Sequence, residues 1–337
     1  MLSLERKSIR ISRLTPGLLA GVALLFPLTV FGTDEPLDQQ QPAERIDTID
    51  KPRDYLSEKF VTFVSDIDRF FGDNRNYQES NQSVLQIDIT RATGYGGDRK
   101  FVPSGRAKLH FPSTEKRLNL VLESNPDQNL TGDSTQTKNT TLANQVVKPE
   151  SYGAALRFEK MQDSLWHFSA DAGIKSQGIN LDPFTRVRGS YSISMDQWRL
   201  KVAETVFWFN TIGAGESTQL DVERFLSEPV LFRATSNATW LHDTQNLNMR
   251  QDLSFFHTVS KRTALLYQAS AIGVSQPAIH ANDYVLLVTY RYRLHRDWVF
   301  FELSPQLHFP KDKDYQSSPA LIMRLELLLD ESRRNPP

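Results

Sequence analysis

The stretch Tyr284-Val-Leu-Leu-Val-Thr-Tyr-Arg-Tyr-Arg293 sets Tyr284, Leu286, Val288, Tyr290 and Tyr292 on one side of an extended chain, with Arg291 and Arg293 on the other. A period of two marks a β-strand, because successive side chains point to opposite faces. The pattern recurs from residue 83 onward. Leu85, Ile87 and Ile89 alternate with Gln86, Asp88 and Thr90, and Ala107, Leu109 and Phe111 alternate with Arg106, Lys108 and His110. At the far end Leu321, Met323, Leu325, Leu327 and Leu329 alternate with Arg324 and Glu326. The reading gives about fourteen strands, many of about 9–11 residues or more, the length that crosses a bilayer at a tilt.

Loop lengths alternate too. Short turns are expected near 113–116, 160–163, 195–197, 227–229, 260–262 and 295–297. Longer connections are expected near 94–103, 125–150, 176–184, 210–217, 242–248, 276–282 and 310–318. The longest, Asn125 to Glu150, is polar and reads as a mobile outer loop. Trp166, Trp198, Trp208, Trp240 and Trp298 fall at or near strand ends, where two aromatic girdles at the membrane–water boundary would need them. A soluble β-sandwich also alternates, with its apolar face turned inward. Strand length, the Trp positions and the mixing of Gly, Ala and Tyr with Leu and Val favour the other arrangement. That is an all-β membrane protein, a closed antiparallel transmembrane β-barrel with its apolar face outward.

Composition narrows the chemistry. The chain has 337 residues, a formal net charge of -1 and no Cys. Disulfides, thiolate catalysis and Cys-bound metals are excluded, and bulk charge points to no nucleic-acid partner. The His residues are scattered without a metal-binding spacing, so neither a metal nor a cofactor is expected. Gly94, Gly96 and Gly97 read as a hairpin loop, because no helix follows to cradle a phosphate. Mean hydropathy is -0.43, low for a helical membrane protein and ordinary for a barrel whose lumen is polar.

The N-terminus reads as a signal peptide over residues 1–32. Arg6, Lys7, Arg10 and Arg13 precede an apolar run, Leu18 to Phe31, too short for a membrane helix, and Val30, Phe31 and Gly32 offer a cleavage site. Residues 33–52, rich in Asp, Gln, Pro and Glu, read as a flexible periplasmic leader. Over 53–71 the period changes. Tyr55, Leu56, Phe60, Phe63, Val64, Ile67, Phe70 and Phe71 recur at three- and four-residue steps, predicting an amphipathic helix that Gly72 ends. Packing on the periplasmic mouth is the favoured placement, and a plug inside the lumen is the other. The barrel is expected over 83–329 and a tail over 330–337.

The inward faces should be dense in charge. Arg106, Lys108, Glu123, Arg157 and Asp171 fall on early strands, and Arg186, Arg188, Asp221, Glu223 and Arg233 on middle ones. Arg291, Arg293, Glu302, Arg324 and Glu326 fall on the last three. Such side chains form either a network of salt bridges or the charged rings of an aqueous pore. Glu204 breaks the pattern. Strict alternation puts it with Trp198, Leu200 and Val202, so a bulge near Val202–Ala203 is expected to turn it into the lumen and Thr205, Phe207 and Phe209 outward.

His167, Ser169 and Asp171 share one strand face. The His-x-Ser spacing resembles that of outer-membrane phospholipase and lipid A deacylase barrels, whose pair faces lipid. Here Trp166, Phe168 and Ala170 hold that face and turn the pair inward, which makes lipid hydrolysis the third-ranked reading. A wider resemblance is carried by residues 56–73, by Pro-Ser-Thr-Glu-Lys-Arg-Leu-Asn-Leu-Val-Leu-Glu-Ser (112–124), by His-Arg-Asp-Trp-Val-Phe-Phe-Glu-Leu-Ser-Pro (295–305) and by Arg-Leu-Glu-Leu-Leu-Leu (324–329). Together these resemble a family of uncharacterised proteobacterial outer-membrane β-barrel proteins. The resemblance implies a fold and a location, and no activity. The leading expectation is a non-enzymatic, porin-like channel for small hydrophilic solutes, surrounded by outer-membrane lipid and lipopolysaccharide. The alternative is a non-conducting scaffold or export partner that meets a periplasmic protein through residues 53–72.

Overall fold

The computed structural model describes residues 62–64, 66–68, 70–71, 83–96, 101–111, 117–130, 150–162, 165–195, 197–294 and 298–330. The expected signal peptide, leader and C-terminal tail lie outside the described residues.

The strands in chain order are β1 (Val84–Gly94), β2 (Val102–His110), β3 (Leu118–Ser124), β4 (Tyr152–Gln162), β5 (Trp166–Gln177), β6 (Asn180–Met195) and β7 (Trp198–Phe209). They continue as β8 (Gly213–Ser227), β9 (Val230–Leu241), β10 (Asn246–Ser260), β11 (Thr263–Val274), β12 (His280–Arg293), β13 (Val299–Pro310) and β14 (Ser318–Asp330). Each pairs antiparallel with its sequence neighbours, and β1 pairs with β14 from Val84↔Asp330 to Gly94↔Ala320, so the sheet is a closed barrel of fourteen strands. Closure leaves no open sheet edge. At the seam Gly94 takes φ +93, a left-handed conformation that glycine adopts without strain. This lets Tyr95 N donate to Pro319 O at 2.9 Å.

Alternation sorts the two faces. Outward-pointing Leu156, Val206 and Leu286 are 51, 56 and 52% exposed, while inward-pointing Lys108, Arg157 and Arg291 are 0, 1 and 0% exposed. This is the inverse of a soluble fold, in which large apolar side chains are the buried ones.

Three expectations change. The connections expected to be long at 176–184 and 210–217 are short: β6 already begins at Asn180, after a turn through Gly178 at φ +64, and β8 begins at Gly213. The strand ends there read as loop because Asn180, Asp182, Pro183, Gly213 and Gly215 are residues that mark turns. The bulge in β7 is absent. Its register runs unbroken against β6 and β8, so Thr205, Phe207 and Phe209 point inward and Glu204 points outward. The bulges that occur on the described strands lie near strand ends, between Phe225 and Ser227, Thr258 and Ser260, and Ile272 and Gly273. Finally, of the helix expected over 53–71, the described residues 62–64, 66–68, 70 and 71 form a short helical stretch, and the remainder lies outside the described residues. That stretch sits inside the barrel, not on its rim.

Candidate functional site: the lumen

The inner surface has three zones. At the end where β1 begins and β14 finishes it is apolar. Leu231, Phe256, Ala264 and Leu266 point inward and form one core with Val64, Ile67 and Phe71 of the helical stretch. Beside it, Val84, Val121, Phe300 and Leu328 pack with Phe70. The rings meet edge-on: Phe71 and Phe256 at 5.2 Å between centroids, Phe70 and Phe300 at 5.7 Å, and Phe63 and Phe225 at 5.2 Å. An apolar inner wall has no use in a water-filled mouth, since water would have to hydrate it. Here Phe63, Val64, Ile67, Phe70 and Phe71 of the helical stretch fill it, as a stopper would.

The sequence carried a signal for this zone. Phe255-Phe256, Phe300-Phe301, Leu231-Phe232 and Leu265-Leu266 put apolar side chains on both faces at once. Where alternation lapses beside a turn, the inner face has turned apolar.

Charge takes over deeper in the lumen, and the two zones are tied together. Arg233 Nη2 donates to Asp68 of the stopper at 2.6 Å, and its Nε donates to Glu223 at 2.6 Å. The guanidiniums of Arg233 and Arg291 also lie over Phe256 and Phe300, at 4.9 and 4.1 Å from the ring centroids. Arg293 caps Phe70 at 5.2 Å.

Most of the expected lumen residues are cross-strand ion pairs. Asp171 lies opposite Arg157 on β4 and Arg186 on β6. Arg157 donates to it through Nε and Nη2 at 2.6 and 2.8 Å, and Arg186 through Nε at 2.9 Å. Arg186 also reaches Glu123 at 2.8 Å, and Lys108 reaches Glu159 at 2.7 Å. On the far side Arg291 donates to both Glu302 and Glu326, the latter at 2.7 Å, and Arg324 pairs with Glu302 at 3.1 Å. Asp221 accepts from Thr235 at 2.6 Å, and Arg106 donates to Gln86 at 3.0 Å. Arg188 is buried on the same inner face. Pairing of this kind fixes neighbouring strands and offsets the cost of burying charge.

The third zone lies toward the opposite end. The start of the long connection, expected to be a mobile outer loop, instead folds against the inner wall. Leu130 packs with Ala155, Phe184, Phe207 and Phe209, Asp127 pairs with Lys175 at 3.1 Å, and Arg186 donates to Asn129 O at 3.2 Å. Residues 131–149 lie outside the described residues.

Glu204 is not in the lumen. It stands on the outer face, where its Oε2 accepts from Thr218 Oγ1 at 2.6 Å. His167 and Ser169 do point inward and are buried, but Asp171 is occupied by two arginines rather than by His167. The geometry therefore assembles no nucleophile–base–acid relay from these three. Among the described residues no cluster of His, Asp and Glu could hold a metal ion. All five tryptophans lie at strand ends as expected. Trp166 and Trp198 open β5 and β7, Trp298 immediately precedes β13, and Trp208 and Trp240 stand one residue from the ends of β7 and β9.

No family model matches the chain, and no curated protein does. Solved structures that resemble it include Pseudomonas putida OprB at high pH, 7% identical with a TM-score of 0.46 over 76% of this chain and 96% of that one. The Salmonella typhi OmpF complex with daunomycin is 8% identical with a TM-score of 0.45, over 73% of this chain and 97% of that one. A NanC porin structure is 9% identical with a TM-score of 0.38, over 72% and 98%. Likenesses of this size carry no argument about activity, and the fold stands on the strand register itself.

Proposed function

We propose that this chain is a bacterial outer-membrane barrel acting as a porin-like channel for small hydrophilic solutes, held narrow by its ion-pair network and stoppered at the periplasmic end by residues 62–71. Membrane placement is supported by the exposed apolar outer face. A closed barrel is also the sheet that satisfies every strand edge without water. The Trp side chains would then mark the two interfaces, with lipid and lipopolysaccharide against the wall. The observation that carries the gated reading is the seating of Val64, Ile67 and Phe71 in the apolar inner collar. A stopper implies something to stop.

The full burial of Arg157, Arg233 and Arg291 favours a second reading, a non-conducting scaffold that uses residues 53–72 to meet a periplasmic partner. Planar-bilayer recording separates the two. The gated channel predicts a nearly silent mature chain and steady conductance after deletion of residues 53–72. Silence from both chains favours the scaffold. Equal conductance from both refutes the stopper.

A further inference from the structure

Glu204 is the outstanding problem on the outer face. It stands six residues from the start of β7 and five from its end, pointing away from the lumen. Thr218 Oγ1 satisfies its Oε2, and no hydrogen bond reaches Oε1 among the described residues. Across the strand lies Gly189, which contributes no side chain to cover it. An ionisable group at such a depth is costly in lipid and marks a functional contact by default.

The polar character continues across one flank. Thr218 on β8 lies opposite Glu204, and Ser236 on β9 lies opposite Gln251 on β10. Between β8 and β9 this stripe steps back two residues from the straight register, which pairs Thr218 with Ala238. Strands tilt in a barrel, so a stripe at constant membrane depth has to step back along successive strands. Ser236 Oγ donates to Gln251 Oε1 at 2.5 Å, and Gln251 Nε2 keeps one N–H beyond its 3.3 Å contact with Asp252 O. A groove of 480 Å³ adjoins Thr218, Ser236 and Gln251 and extends toward β11, with the small residues Ala238, Ala271 and Gly273 in its wall. Outside this flank, Ile87 and Ile89 on β1, Leu286 and Val288 on β12 and Leu325 on β14 make the outer face large and apolar at mid-height.

Small residues with hydrogen-bonding side chains among them are what membrane-embedded protein interfaces use. We propose that the β7–β10 flank is where two copies of this chain associate side by side, Glu204 of each meeting Gln251 of the other. The stripe is its own complement, with a free carboxylate oxygen at one edge and a free amide N–H at the other. A two-fold axis along the membrane normal keeps both copies inserted in the same direction. It brings the β7 edge of one against the β10 edge of its partner, twice over. The inference rests on the membrane-spanning reading and is independent of conduction.

The chain has no Cys, so introduced thiols are the sole thiols. E204C and Q251C chains with different tags are co-expressed and oxidised in intact outer membranes. The proposal predicts a disulfide adduct between the two tags at least tenfold above that of an L286C and L325C control pair. It also predicts that the unmodified chain has the mass of a dimer in mild detergent and that Glu204→Leu shifts it to a monomer. Two outcomes overturn the proposal alone: folded, membrane-integrated barrels with no adduct, or an E204C self-adduct exceeding the mixed one. Absence of both chains from the membrane fraction overturns the membrane-spanning reading and this proposal with it.

Discussion

Asp68 and Arg233 are 165 positions apart in sequence and 2.6 Å apart in space, and both are buried. This contact is the polar latch of a stopper otherwise held by apolar packing. Losing a hydrogen bond between charged groups costs about 1.5–3 kcal/mol, and Glu223 still compensates the Arg233 charge once Asp68 is neutralised. Asp68→Asn is expected to shift the seated state toward the unseated one by roughly tenfold at the low end of that range. The barrel should stay folded. Bilayer recording should show frequent openings where the unmodified chain shows few, with unchanged heat-modifiable mobility on gels.

Phe71 packs edge-on against Phe256 in the same collar. Removing a buried phenyl costs about 3–5 kcal/mol. Phe71→Ala should therefore raise conductance at least as much as Asp68→Asn while leaving the barrel folded. Protection of residues 62–71 from protease added on the periplasmic side should fall in both variants. Loss of the barrel itself would mean that the stopper is part of the folding core.

Arg291 carries a different weight. It is fully buried between Glu302 and Glu326 and bridges β12 to both strands that follow. Arg291→Met leaves Glu326 without its arginine, while Glu302 keeps Arg324, and is expected to lower barrel stability by about 3–5 kcal/mol, read as a lower urea midpoint in bilayers. The double change Arg291→Met, Glu326→Gln removes the stranded charge, keeps the Arg324–Glu302 pair and should recover most of the loss.

The strand count and the two faces were legible in the sequence because alternation encodes both, whereas the choice between a salt-bridge network and charged pore rings stayed open, because alternation does not set the register between strands. The fate of Glu204 was not. The expected bulge assumed that a carboxylate must leave the lipid face, whereas the unbroken register accepts it and supplies Thr218 as a donor. Local pattern cannot register a partner on a neighbouring strand. The apolar collar was written in the doublets Phe255-Phe256 and Phe300-Phe301, yet a doublet does not say what fills the space it faces. The inward fold of residues 125–130 was hidden for a similar reason. Polar composition reads as an outer loop, and the contacts that hold it, such as Asp127 with Lys175, come from distant strands.

Leu286 offers a test in which solvent and lipid give opposite answers. It is 52% exposed at the middle of β12. On a soluble surface Leu286→Arg would change stability by no more than about 0.5 kcal/mol. Facing hydrocarbon near the midplane, it should cost about 2–4 kcal/mol. Reversible unfolding in lipid vesicles measures the difference.

A membrane-spanning barrel requires that the apolar outer faces of these strands touch hydrocarbon. Nitroxide labels placed one at a time on introduced Cys from Tyr284 to Thr289, in the reconstituted barrel, test it most directly. The account predicts a two-residue period, with labels at Tyr284, Leu286 and Val288 open to dissolved oxygen and shielded from a water-soluble relaxer, and labels at Val285, Leu287 and Thr289 shielded from both. Labels at Tyr284, Leu286 and Val288 that respond to the aqueous relaxer, from a chain that stays monomeric in plain buffer without detergent, would contradict it.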